Sequence, residues 1–173
     1  GKYKLTRDRA RLNINELLVQ PVGSFIRLMR RDRRYLNFEM VFFLYGLAIM
    51  LLFPIIPMYI VEVANMSYAQ AGIATGIFGQ LGVLVLSPVW GWFMDRTGPF
   101  LLCIVVFSIL AVFPVVLLVG MSPGLAPGAL IILVYIAHLI FGSGMSGINV
   151  AWSMGPVMFA GDEDSSGYSG AHV

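Results

Sequence analysis

SPVWGWFMDRTGPFLL, residues 87–102, holds two charged side chains, Asp95 and Arg96, alone between long apolar stretches. Gly91 and Gly98 frame the pair, and Pro99 stops the segment. The stretch either only turns the chain from one apolar segment into the next or is a working part as well. Outward from it, charge-free runs cover residues 40–60, 63–94 and 97–161. A membrane-crossing helix needs about 20 apolar residues, so the last run is too long for one crossing. The turn-rich MSPGLAPG, residues 121–128, divides it. Four crossings follow, at about 38–63, 68–93, 99–121 and 129–155.

Composition supports the same solvent. Hydrophobic residues are 58% of the chain and charged residues 12%, against about 25% charged in a soluble domain. The fold class is therefore an all-α membrane protein, a polytopic helical bundle with four complete transmembrane helices. SSGYSGAHV at the C-terminal end reads as a Ser N-cap and the start of a fifth. With Gly1 in place of an initiator Met, the chain reads as a fragment. The first apolar run comes too late and is too long for a secretory signal.

The basic residues give an orientation. Ten of the eleven, Lys2, Lys4, Arg7, Arg9, Arg11, Arg27, Arg30, Arg31, Arg33 and Arg34, precede the first crossing, and the other is Arg96. The positive-inside rule puts the N-terminal arm and Asp95–Arg96 on the cytoplasmic side and the turns near 64–67 and 121–128 outside. The acidic Asp162, Glu163 and Asp164 fall inside as well, which the rule tolerates because acidic residues weigh little in it. Three parts result: a basic cytoplasmic arm (1–35), the four-helix part (36–161), and a cytoplasmic loop opening the next helix (162–173). Within the arm, Ser24 can cap a short amphipathic helix with Phe25, Leu28 and Met29 on one face and arginines around the rest, suited to the anionic inner surface of a bilayer. Only Tyr3 and Phe25 stand among the basic residues of the arm, too few aromatics for base stacking, which speaks against a nucleic-acid partner. The single Cys103 excludes an internal disulfide and lacks partners for a metal site; no metal or cofactor is expected.

The crossings differ in ways that suggest roles. The third is apolar all round except for Ser108, as a lipid-facing helix would be. The second carries Gly72, Gly76 and Gly79 within a roughly 60° stripe, a small-residue packing face. Gln80 lies near its middle, with Ser87 two turns on at a similar azimuth. In the fourth, His138, Asn149, Gly142, Ser153 and Ser146 fall within an arc of about 80°, while Gly147, Ala151, Gly144 and Gly155 lie opposite. One side is polar and the other small, as a helix beside a watery pathway requires. Gln80, His138, Ser146 and Asn149 are accordingly the candidate cavity and substrate-lining residues, and Gly72, Gly76, Gly79, Gly144 and Gly147 the candidate packing residues.

GWFMDRTGP resembles the loop signature of the major facilitator superfamily of secondary transporters, G-x-x-x-D-R/K-x-G-R/K-R/K, with Gly91, Asp95, Arg96 and Gly98 in register. LLFPIIPMYI resembles the proline-bearing first helix of a facilitator half, and FGSGMSGINVAWSMG its glycine-rich fourth. The resemblance covers roughly residues 30–173. It implies a multi-pass protein of a plasma membrane, the bacterial inner membrane in particular. It also implies alternating access of a small solute, with or without proton coupling, at a site shared with the other half of the same chain. The first, second, fourth and fifth helices of a half would line the cavity and the third would pack outside. Asp95 would act at the inner gate, and Arg96 would supply the loop's charge. Pro99 and Phe100 stand where the motif has two basic residues. With the long basic segment ahead of the first crossing, this degraded copy points to the C-terminal half, helices seven to ten of twelve; the alternative is an N-terminal half with a 35-residue leader. Two other readings are weighed. GMSG, residues 144–147, matches the G-x-S-G of intramembrane serine proteases, which would make Ser146 a nucleophile needing a His from another helix. A non-transporting membrane scaffold of the same fold is the second.

Overall fold

The structure is a computed structural model and describes residues 20–161 and 165–172. The arm residues Lys2, Lys4, Arg7, Arg9 and Arg11, the acidic Asp162, Glu163 and Asp164, and Val173 lie outside the described residues. Among the described residues the chain is helical, with no strand. A short helix α1 (Gln20–Arg31) leads into α2 (Arg33–Met58), which continues as a π-wound turn, Tyr59–Val63. After a brief connection come α3 (Tyr68–Gly72), a second π segment (Ile73–Phe78) and α4 (Gly79–Thr97) as one rod, then α5 (Pro99–Val119), α6 (Pro127–Ala160) and α7 (Ser166–His172).

Four helical rods are long and apolar enough to cross a bilayer: Arg33–Val63, Tyr68–Thr97, Pro99–Val119 and Pro127–Ala160. The shortest, α5, has 21 residues, about 30 Å at 1.5 Å per residue, which just fits the hydrocarbon core. Three crossings run longer than the apolar runs suggest, and local chemistry explains where each starts or stops. The α2 helix begins at Arg33 because Asp32 caps it: its Oδ1 accepts the backbone N–H groups of Arg34 and Tyr35, both at 3.0 Å. A capping box of Ser67 and Gln70 starts the second rod. That rod passes through Asp95 and Arg96 and ends only at Gly98, whose φ of 81° is open to glycine at little cost. Pro99 then supplies the first position of α5, where a missing N–H costs nothing. At the other end of the bundle Pro127 starts α6 in the same way. In α1 the helix begins at Gln20, ahead of the expected cap, and Ser24 Oγ instead accepts the Arg27 guanidinium at 3.1 Å.

Both π segments sit at the Ser67 end. Pro54 and Pro57 interrupt α2 just before Tyr59–Val63, where the helix continues with wider turns. The core falls into two clusters. At the Asp95 end Tyr35, Phe38, Phe42, Trp90, Met94, Leu102, Val106 and Ile148 are buried together. At the Ser67 end Tyr59, Ala74, Phe113, Leu117, Val134 and Ala137 form the second. Between them α2 stands off from α5 across an apolar cleft of about 380 Å³ that Ala48, Leu52, Phe107 and Leu110 help to line. The α5 helix is less uniform than its sequence: Leu102, Val106, Phe113 and Leu117 are buried, while Ile104, Val115 and Leu118 are exposed.

Candidate functional site

The most tightly built part of the molecule is the seam between α4 and α6. Gly142 lies against the backbone of Gly79 so closely that an added Cβ would overlap it. A Cβ on Gly82 would stand 2.5 Å from Leu139 O and 2.7 Å from Ser143 N. Glycine is what lets the two backbones meet. Along the same seam Trp90 Nε1 donates to Ser143 O at 2.8 Å, and the Ser87 and Ser146 hydroxyls are 2.8 Å apart. On the other side of α6, Gly144 packs against Leu110 and Gly147 against Val106 of α5. Gly155 packs against the Phe38 ring of α2. With Trp90 of α4 also beside Gly147, the small face of α6 accepts neighbours from three helices.

The polar arc of α6 is divided by its neighbours. His138 is buried, its Nδ1 2.8 Å from Val134 O and its ring edge-on to Phe113. Ser146 is 1% exposed and also donates to Val83 O at 3.2 Å. Gly142 is occupied by Gly79. Only Asn149 and Ser153 of the arc remain exposed. A helical wheel orders azimuths but does not say which of them a neighbouring helix covers, and here α4 and α5 cover half of the polar side. On α4, Gln80 is exposed and lines a groove of about 490 Å³ with Ile77, Val83, Leu84 and Ser87.

The glycine stripe of the second rod is likewise divided. Gly79 is buried, but Gly72 and Gly76 are exposed and have no atom within 4 Å of an added Cβ. The π segment Ile73–Phe78, which contains Gly76 and separates Gly72 from Gly79, is the reason: its turns take more than 3.6 residues, so azimuths computed for an α-helix drift across it. The face that packs is Gly79 and Gly82.

At the Asp95 end, Asp95 and Arg96 occupy the last turn of α4 and both are exposed. The Arg96 guanidinium lies 4.2 Å above the Trp92 ring, a cation–π contact. Among the described residues no cation pairs with Asp95. Gly91, one turn earlier on the same face, has nothing within 4 Å of an added Cβ. Nearby, α7 docks on α2: Tyr35 donates to Tyr168 O at 2.7 Å, Tyr168 donates to Asp32 Oδ2 at 3.2 Å, and His172 Nδ1 meets Glu39 Oε1 at 2.8 Å. The last contact was missed in the sequence, because both residues read as helix-end positions with no common motif.

A bundle of membrane-length helices, joined by a glycine-capped turn with an exposed Asp–Arg pair, defines a multi-pass integral membrane protein. The family model of the Major Facilitator Superfamily matches residues 4–172, and the chain belongs to that family. Neither the comparison with curated proteins nor that with solved structures found a match. Members of the family are membrane transporters rather than enzymes, and the Ser146 hydroxyl, spent on Ser87 and Val83 and distant in its bonding from His138, does not favour a protease.

Proposed function

We propose that the chain forms part of the C-terminal half of a secondary transporter that moves a small solute by alternating access, with its N-terminal arm and the Asp95 turn on the cytoplasmic side. The observation that carries this reading is the open face made by Gly91 and Asp95. A carboxylate in the last turn of a helix opposes the negative end of that helix's own dipole, so Asp95 gains nothing locally from its position. Against the positive N-terminal end of a helix from the other half, the same charge becomes favourable. Gly91 leaves room for that approach. Arg96, in contrast, suits the C-terminal end of α4 and rests on Trp92.

In this reading Gln80 and Asn149 line the pathway, with Ser153 beside the latter, while His138 and Ser146 fix α6 between α5 and α4 rather than meeting solute. Proton coupling, where it operates, then falls to another group. The pathway is completed by the other half, in a lipid bilayer. Uptake or efflux by the full-length protein tests the assignment. Asp95→Asn is expected to lower the transport rate at least tenfold without lowering the amount of protein in the membrane, and Gln80→Ala or Asn149→Ala to change apparent solute affinity. Unchanged transport in all three variants would sink the gate and the lining together.

A further inference from the structure

The groove between α2 and α6 at the Asp95 end holds a combination that the resemblance to the family does not supply. Glu39, Phe42, Phe43, Tyr45, Met50 and Trp152 help to line an open space of about 390 Å³. Glu39 lies six residues into α2, about 9 Å from its start, and Met50 lies about 16 Å beyond it at 1.5 Å per residue. The groove therefore runs from the end of the crossing toward its middle. Glu39 stands at the edge of the crossing, where a charge can be kept, and the groove leads from it toward the interior.

His172 Nδ1 meets Glu39 at 2.8 Å, and the Tyr35 hydroxyl is close enough to interact with the carboxylate as well. The imidazole is packed on three rings: Trp152 with centroids 3.9 Å apart, Phe42 at 5.5 Å and Phe38 at 5.9 Å. Its Nε2 is buried and has no hydrogen-bond partner among the described residues. The ring is thereby held with Nδ1 on Glu39, and it orients the carboxylate. The other titratable groups around this contact are Tyr35 of α2, whose hydroxyl donates to Tyr168 O and also interacts with Glu39, and Tyr168 of α7, which donates to Asp32; the nearest contribution of α6 is the uncharged Trp152.

We propose that this groove is a binding site for a small organic cation, with the Glu39 carboxylate as counter-ion and the rings of Trp152, Phe42 and Phe43 as walls. A half-buried carboxylate with no lysine or arginine paired to it among the described residues is complementary to an ammonium group, aromatic faces attract the same charge, and Met50 and Tyr45 accommodate its apolar body. Trp152, 45% exposed, is placed to meet such a ligand. His172 is a positioning residue. The inference rests on the transporter reading and specifies its solute.

Calorimetric titration of the purified full-length protein with choline, tetraethylammonium and 3,3-dimethyl-1-butanol, the neutral isostere of choline, tests it. At least one of the cations is expected to bind, and the alcohol at least tenfold more weakly than choline. E39Q should bring choline to the level of the alcohol, and W152F should weaken it about threefold. H172Q, which retains an N–H for Glu39, should preserve the preference for cation over alcohol that H172L loses. Should E39Q fail to elute as a single folded species, W152F decides, and unaltered cation affinity there overturns the proposal. So would equal binding of choline and the alcohol, absence of binding by both cations, or full cation affinity in folded E39Q. Side-dependent labelling of a cysteine introduced at Asn149, with Cys103→Ser, in sealed vesicles of the full-length protein separates the two levels. Alternation without cation preference removes only this site, and loss of alternation removes the transporter reading beneath it.

Discussion

The α4–α6 seam and the face of α2 turned toward α6 are built by opposite means. In the seam, glycines bring backbone onto backbone, and two hydrogen-bonded pairs, Trp90 with Ser143 and Ser87 with Ser146, hold the register. Along α2, contact is made by large side chains, Phe38 and Phe42 near one end, Tyr59 and Ile60 just past the other, and Tyr45 between them, which donates to Met145 Sδ at 3.0 Å and stacks on Phe107, with open spaces on either side. A backbone seam has no slack, because packed interiors resist even small changes in volume. A helix held by separate side-chain contacts can take a ligand, or shift, in the spaces between them. The rigid part of this chain is therefore the α4–α6 pair, and the adjustable part is α2.

The seam is the place where one substitution should do most damage. Gly142→Leu would force a side chain into Gly79, and a loss of more than about 3 kcal/mol is expected; in the full-length protein this reads as absence of a monodisperse species on size exclusion. Phe38→Ala removes the ring that meets Tyr35, Phe42, Phe100, Phe159 and His172. A cost of about 3 kcal/mol is expected, seen as a lower thermal transition with the seam intact. Tyr59→Phe removes the hydrogen bond to Leu117 O, 2.6 Å long, and should cost about 1 kcal/mol. The smallest effect is expected from Gly76→Ala, within about 0.5 kcal/mol, since nothing lies near the added methyl. If Gly76→Ala were as damaging as Gly142→Leu, the division between the two regions would fail.

Much of the architecture is written in local chemistry. The spans follow from apolar runs, and their ends from Asp32, Ser67, Gly98, Pro99 and Pro127, each of which acts within a few residues of itself. The small side of α6 is also readable, because Gly144, Gly147 and Gly155 are small wherever their neighbours come from. What depends on another helix is not. The polar arc from His138 to Asn149 is one arc on a wheel, yet α5 takes His138, α4 takes Ser146 and only Asn149 stays open. The stripe of Gly72 and Gly76 was displaced by a π segment that no pattern of apolar residues announces. Glu39 and His172, 133 residues apart, meet only once α7 has docked on α2.

Residues 87–102 are in the end more helix than loop: α4 carries Asp95 and Arg96 in its last turn, and Gly98 alone makes the turn into α5. The central claim, that this end closes against another half while a pathway opens at the far side, is tested most directly by side-specific labelling. A single cysteine at Asn149, in the full-length protein with Cys103→Ser and no other cysteine, is reacted with a membrane-impermeant thiol reagent from either face of sealed vesicles. Alternating access predicts labelling from both faces, with Asp95→Asn increasing the reaction from the cytoplasmic face at least threefold. Labelling from one face only, unaffected by Asp95→Asn, would contradict the account.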